Sequence, residues 1–309
     1  MSYEYYIGII DDESVLVECG PMRLVIRAWN KTRPQISLAR RAAEASISYL
    51  ERIARCRSLL SRPWPRIKNL GDDELAQRMV TSVKTIGDGD LTPMAAVAGT
   101  IADAAADWLF ERGSTKVIVD NGGDLAIRLA RGERASVGVR PNVGSRSISH
   151  MINLDSSRSA WGVTTSGMGG RSFTRGIASA VTVLAENASI ADAAATAVAN
   201  ACYVEDKGVF QLAAEKIDPN SDLRGTLITM EVGPLSEEKK RRAIESAQEK
   251  AEYLVQNNSV IGAFIALENQ FAVTGSMQPY ILEIGDHQQS WRYEEGHGKE
   301  PGTCTCGGR

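Results

Sequence analysis

The chain has 309 residues, 43% of them hydrophobic, with 35 Lys and Arg against 38 Asp and Glu for a formal charge of -3. That balance lacks the basic footprint of a nucleic-acid binder, and no apolar run is long enough to span a bilayer. Five scattered cysteines, Cys19, Cys56, Cys202, Cys304 and Cys306, form no disulfide framework; with no secretory pattern at the start, the expected compartment is cytoplasmic.

Alternation of polar and apolar residues predicts strands at 5–10, 14–19 and 23–27, with turns at Asp11-Asp12-Glu13 and Gly20-Pro21. A long helix follows, with Leu38, Ala42, Ala45, Tyr49, Ile53, Cys56 and Leu60 at three- and four-residue steps. It ends at Pro63-Trp64-Pro65. Asp72-Asp73-Glu74 opens a second helix reaching about Ile86. Pro93-Met94-Ala95-Ala96-Val97-Ala98-Gly99 starts a third, whose small residues predict close packing. Strands are expected at 116–119, 125–129, 136–139, 151–154 and 180–185. An Ala-rich helix around Asp192 comes next, then a short helix at 209–214 and a strand at 226–230. A charged amphipathic helix at 237–255 and strands at 260–267 and 280–284 complete the body. Strands and helices mix irregularly, so the fold class is α+β.

Asp192, Thr196 and Asn200 are spaced by four, which stacks three oxygen-bearing side chains on one helix face. A carboxylate beside a hydroxyl suits a hard cation such as Mg2+. The same segment also reads as a capping box, with Ser189 at the N-cap and Asp192 three residues on. The two readings are compatible.

Asn121-Gly122-Gly123-Asp124 lies between two predicted strands. Asn-Gly alone is a hairpin turn; the second Gly and the Asp add the option of a backbone that approaches a ligand closely, with Asp120 or Asp124 accepting from it. Residues 162–176 hold Thr164, Thr165 and Ser166 in a row, five glycines, Arg171 and Arg175. Such a loop can hold phosphates with backbone N–H groups and Arg, the alternative being a surface loop. It is neither a P-loop nor a nucleophile elbow. His150 is the sole histidine outside the tail, and a Ser166–His150 pair has no sequence support. In the polar, Gly-rich tail, His287, His297, Cys304 and Cys306 could form a tetrahedral zinc site, but composition favours disorder.

Taken together, Ala98 to Asp103, Val119 to Asp124, Val163 to Gly167 and Val181 to Ala197 resemble the ApbE superfamily of FAD:protein FMN transferases. They are most similar to its ApbE-like branch with the Pro-Met-Ala-Ala-Val-Ala-Gly and Asn-Gly-Gly-Asp blocks. The likeness covers about residues 90–203. It implies a two-lobed, T-fold-like α+β unit over residues 1–286, with antiparallel sheets and packed helices, followed by a tail at 287–309. It implies Mg2+ at Asp192 and Thr196. FAD or FMN would be lined by Asn121, Gly122, Gly123, Asp124, Thr164, Thr165, Ser166 and Gly167.

The chain also departs from that pattern. Ala98 stands where the transferases carry Lys, and the stretch 169–176 replaces a His-x-x-Asp-Pro block. The expected function is therefore binding of an anionic small molecule or flavin nucleotide with a divalent cation, in a Mg-dependent enzyme that does not flavinylate proteins. Ser166, Arg171 and Asp124 are its candidate catalytic residues. A hydrolase or lyase on the same scaffold and a non-catalytic flavin-binding module are the alternatives. No nucleic-acid or membrane partner is expected, and homo-oligomerisation stays open.

Overall fold

The computed structural model describes residues 3–142 and 147–284. In chain order the elements are β1 (Tyr5–Asp11), β2 (Ser14–Cys19), β3 (Met22–Asn30), β4 (Arg33–Pro34), α1 (Ile36–Leu60), α2 (Glu74–Ile86), α3 (Val97–Phe110), β5 (Lys116–Asp120), β6 (Asp124–Leu129), β7 (Arg134–Val139), β8 (His150–Asp155), β9 (Ala160–Ser166), β10 (Ala180–Ala185), α4 (Ala188–Ala201), β11 (Val209–Ala213), α5 (Ala214–Ile217), β12 (Leu227–Val232), α6 (Glu237–Gln256), β13 (Gly262–Leu267), β14 (Gln270–Val273) and β15 (Ile281–Glu283). A ten-stranded antiparallel sheet runs β1-β2-β3-β5-β6-β9-β10-β13-β14, with β4 attached to β3. This is the expected α+β architecture with antiparallel sheets.

Alternation along the strands sorts the two faces of the sheet. Val117, Val119, Ala126, Val181 and Val183 join the helices in one core. Ile127, Leu129, Trp161, Leu184 and Phe264 join a second core, beneath the three-stranded sheet β15-β8-β7.

Helix α4 lies at the centre of the helical layer, against α2, α3, α6, β9 and β10. Nine of its residues are buried, eight of them Ala or Val. Small residues let neighbours come close enough that a methyl group would not fit. A Cβ at Gly99 of α3 would lie 2.2 Å from the Ala188 carbonyl oxygen, one at Gly162 of β9 2.1 Å from that of Asn187, and one at Gly176 1.8 Å from that of Ala199. Backbone oxygens cannot yield as a flexible side chain can, so the helix is gripped on three sides.

Three local expectations need correction. Residues 209–213 form a strand paired with β12, and the helix is confined to Ala214–Ile217. The periodicity of five residues cannot separate the two, and the partner strand decides. Residues 162–166 belong to β9, held between β6 and β10, so the loop begins only at Gly167. The N-cap of α4 is Asn187, whose side chain accepts from Ile190 N at 2.9 Å. The Ser189 hydroxyl instead meets Ser82 Oγ at 2.7 Å and Thr100 Oγ1 at 2.6 Å.

Candidate functional site

The start of α4 is secured by a residue far away in sequence. Asp103, fully buried on α3, accepts from the backbone N–H groups of Ala188 at 3.1 Å and Ser189 at 2.8 Å. These are unpaired donors of the first helical turn, where a carboxylate is favoured. Its charge is matched by Arg128 of β6 at 2.9 Å, which also reaches Asp107. A carboxylate in the middle of an apolar helix was the sequence signal for this arrangement, since a buried charge needs a partner.

One turn into α4, Asp192 Oδ2 accepts from Gly99 N at 2.9 Å. Burial pushes this carboxyl up to about 7, against the pull of the Gly99 and Ala98 N–H groups, and the Asp103 charge adds to the rise. Asp124, at the start of β6, also lies well above the usual carboxylate range. Burial is the main cause, followed by the negative charges of Asp192 and Asp120, with Arg171 opposing. Burial thus disfavours the ionised form of both carboxyls, and the Asp192 charge adds to the rise at Asp124. Beside Asp124 across the β6–β9 register sits Thr164. It is fully buried, and its hydroxyl has no hydrogen-bond partner among the described residues.

Asp192, Thr196 and Asn200 all line one cavity of about 310 Å³. The three-residue stripe read from the four-residue spacing faces it. Arg171 and Arg175 line it too, as do Asp90, Phe173 and the 218–226 segment. Asn200 spends its side-chain oxygen on Arg175 N at 2.9 Å. Arg171 donates to the carbonyl of Asn121 at 2.8 Å. Its charge is matched by no carboxylate salt bridge among the described residues.

The Asn121–Asp124 turn is wider than a two-residue hairpin. Gly122 and Gly123 take φ of +69° and +108°, and a Cβ on Gly122 would strike the Arg171 guanidinium at 2.0 Å. The first glycine thus makes room for the arginine. Asn121 itself is buried, and its amide donates to the Ala98 carbonyl at 3.2 Å.

Asn121, Gly122, Gly123, Asp124 and Thr164 lie outside the cavity lining, and so do the remaining candidates. Thr165 bonds Thr182 across the strands at 2.9 Å, on the opposite side of β9 from Thr164. Ser166 is half-buried at the end of β9. A Cβ on Gly167 would come within 2.8 Å of the Ser179 carbonyl oxygen. His150 packs its ring 4.7 Å from Phe264 and 5.8 Å from Phe271, on the far sheet, and its hydrogen bond goes to Ser149. His287, His297, Cys304 and Cys306 fall outside the described residues. No helix among the described residues is long and apolar enough to cross a membrane.

Sequence reasoning passed over Asp90, Thr92 and the 218–226 segment. Thr92 donates to Asp222 at 2.5 Å, and Arg57 to the Asn220 carbonyl at 2.9 Å. Both contacts hold the segment against the cavity mouth. Their long separation in sequence left no local pattern to find.

A family model described as AbpE bacteria matches residues 8–276. A UPF0280 protein of Methanopyrus kandleri is 35% identical over 214 residues, 67% of this chain and 83% of that protein. A UPF0280 protein of Methanococcoides burtonii is 37% identical over 138 residues, 44% of this chain and 55% of that one. Among solved structures, the apo form of the Pseudomonas stutzeri flavinyl transferase ApbE is similar with a TM-score of 0.49 at 14% identity, covering 90% of this chain and 96% of that chain.

Proposed function

The chain belongs to the AbpE bacteria family, and from that premise we propose that its cavity binds a phosphate-bearing small molecule, a flavin nucleotide or a related ester, together with a divalent cation. The observation that carries this reading is the meeting of Asp192, Thr196 and Arg171 on one cavity wall, with Asp124 in electrostatic reach of Asp192 and Arg171.

The donor set fits Mg2+. It is made of hard oxygens, and two carboxyls held back from ionisation by burial and by each other would be relieved by a cation. Asp192 and Thr196 would hold it, with Asp124 and the unpartnered Thr164 hydroxyl beside them. No three His, Cys, Asp or Glu side chains among the described residues cluster to hold a metal by themselves. Cation binding should therefore depend on oxygens brought by the ligand. When bound, the cation supplies Lewis acidity toward a phosphoryl oxygen. Arg171 is placed to neutralise charge on the same group.

Calorimetry with Mg2+ and FAD or FMN tests the reading. The wild type should bind cation and nucleotide more tightly together than apart, and Asp192→Ala should weaken the joint binding by more than about tenfold. Equal affinity in both proteins would remove Asp192 from the site. Transfer of FMN to a protein threonine is not expected, because Ala98 stands where the transferases carry Lys and the 169–176 stretch lacks their His-x-x-Asp-Pro block. Incubation with FAD, Mg2+ and a Thr-bearing acceptor, followed by mass spectrometry, should give no FMN-sized adduct; a rapid adduct would restore protein flavinylation as the activity.

A further inference from the structure

The two arginines of the cavity wall are not equivalent. Arg171 spends its donors on neutral carbonyls, those of Asn121 and Pro21, and makes no carboxylate salt bridge among the described residues. Arg175 is ion-paired with Asp90, itself on the cavity wall.

Both partners of this pair are fixed at the backbone. Arg175 N donates to Asn200 on α4, and Arg175 O accepts from Gln211 Nε2 at 3.1 Å and Thr229 Oγ1 at 2.8 Å. The loop carrying Asp90 is fixed as well. Trp64 Nε1 donates to the Asp88 carbonyl at 2.9 Å, Trp64 N to that of Leu91 at 3.0 Å, and Lys250 pairs with the Asp88 carboxylate. Main chains held this way leave the guanidinium of Arg175 free to move only through its own torsions. The aspartate stands where it can take that charge.

We propose that Asp90 is an internal competitor: its carboxylate occupies the guanidinium of Arg175, and an anionic ligand of the cavity must displace it to gain a second arginine. The inference rests on the anion-binding reading above and adds a selectivity to it. The pair is solvent-touched, with side chains 34% and 56% exposed, and such pairs hold weakly. A phosphoryl group carrying two charges and three acceptor oxygens outcompetes a single carboxylate for an arginine fork. A singly charged carboxylic acid meets an equal already in place. Asp90 thereby biases the cavity toward phosphate and diphosphate esters over simple organic acids.

The test is calorimetric titration of inorganic pyrophosphate in the presence of Mg2+, at fixed ionic strength, into wild type, D90N, R175Q and the D90N/R175Q double variant. D90N should bind pyrophosphate about two- to fivefold more tightly than wild type, the range expected for releasing an exposed ion pair. In the R175Q background that gain should vanish. Acetate, titrated in parallel, should show measurable competition with pyrophosphate only in D90N. Unchanged or weaker binding in D90N, or an equal gain in both backgrounds, would overturn the competition while leaving the anion site standing. Pyrophosphate binding by none of the four proteins would overturn both.

Discussion

Arg128 and Arg175 each meet an aspartate, yet the two pairs do opposite work. Arg128 and Asp103 are 6% and 0% exposed, and both side chains are hydrogen-bonded. The guanidinium reaches two carboxylates, while Asp103 also closes the first turn of α4. Arg175 and Asp90 sit at the cavity wall in contact with solvent. Burial makes the first pair a fixture, because separating it strands charge in a low dielectric. Water makes the second pair exchangeable, because either partner can be solvated at little cost. The inner pair sets where Asp192 stands; the outer pair sets what may approach it.

Breaking the inner pair should have the largest effect. Asp103→Ala leaves Arg128 short of a buried partner and two helix N–H groups unpaired, a loss of about 3–5 kcal/mol, measurable by urea denaturation. Arg128→Met should cost less than Asp103→Ala, because Asp103 keeps its two backbone donors. The reverse order would mean that the ion pair, and not the helix start, carries the stabilisation. Gly176→Ala comes next. It forces a methyl group onto the Ala199 carbonyl beside the seat of Arg175, and overpacking of this kind costs about 1–3 kcal/mol. It should also weaken pyrophosphate binding in calorimetry, because Arg175 is displaced with it. The smallest effect is that of Asp90→Asn on stability, within about 0.5 kcal/mol of wild type. A drop of several kcal/mol in the same urea series would place Asp90 among the structural charges and erase the contrast between the pairs.

How much of this was legible in the sequence follows the range of each interaction. The Asp192, Thr196, Asn200 stripe depends only on helical periodicity, and all three residues line the cavity. The close packing expected of the small-residue helix at Gly99 is present because glycine and alanine announce it locally. Ser189 was misread as a cap because its hydroxyl partners, Ser82 and Thr100, lie 107 and 89 positions away. The cap supplied by Asp103 is equally remote. Residues 162–166 looked like a loop because glycine and hydroxyl residues favour turns, but in a sheet they are what a strand needs when a helix end presses against it. Asp90 carried no signal at all, since its meaning comes from an arginine 85 residues on.

The three-sided grip on α4 has a consequence for how this protein can change over generations. A Cβ at Gly99, Gly162 or Gly176 would lie 1.8–2.2 Å from a carbonyl oxygen, so no larger side chain fits without displacing main chain, and interiors packed this densely do not absorb such shifts. Mutation therefore cannot retune the carboxylate helix gradually. It can retune the cavity's other walls, at Asp90, Phe173 and the 218–226 segment, because these are loops whose main chains border solvent. Relatives that diverge in what they bind should differ there first and keep the helix and its three glycines. The scaffold thus divides into a part that drift cannot enter and a part through which new ligand preferences can be acquired one substitution at a time.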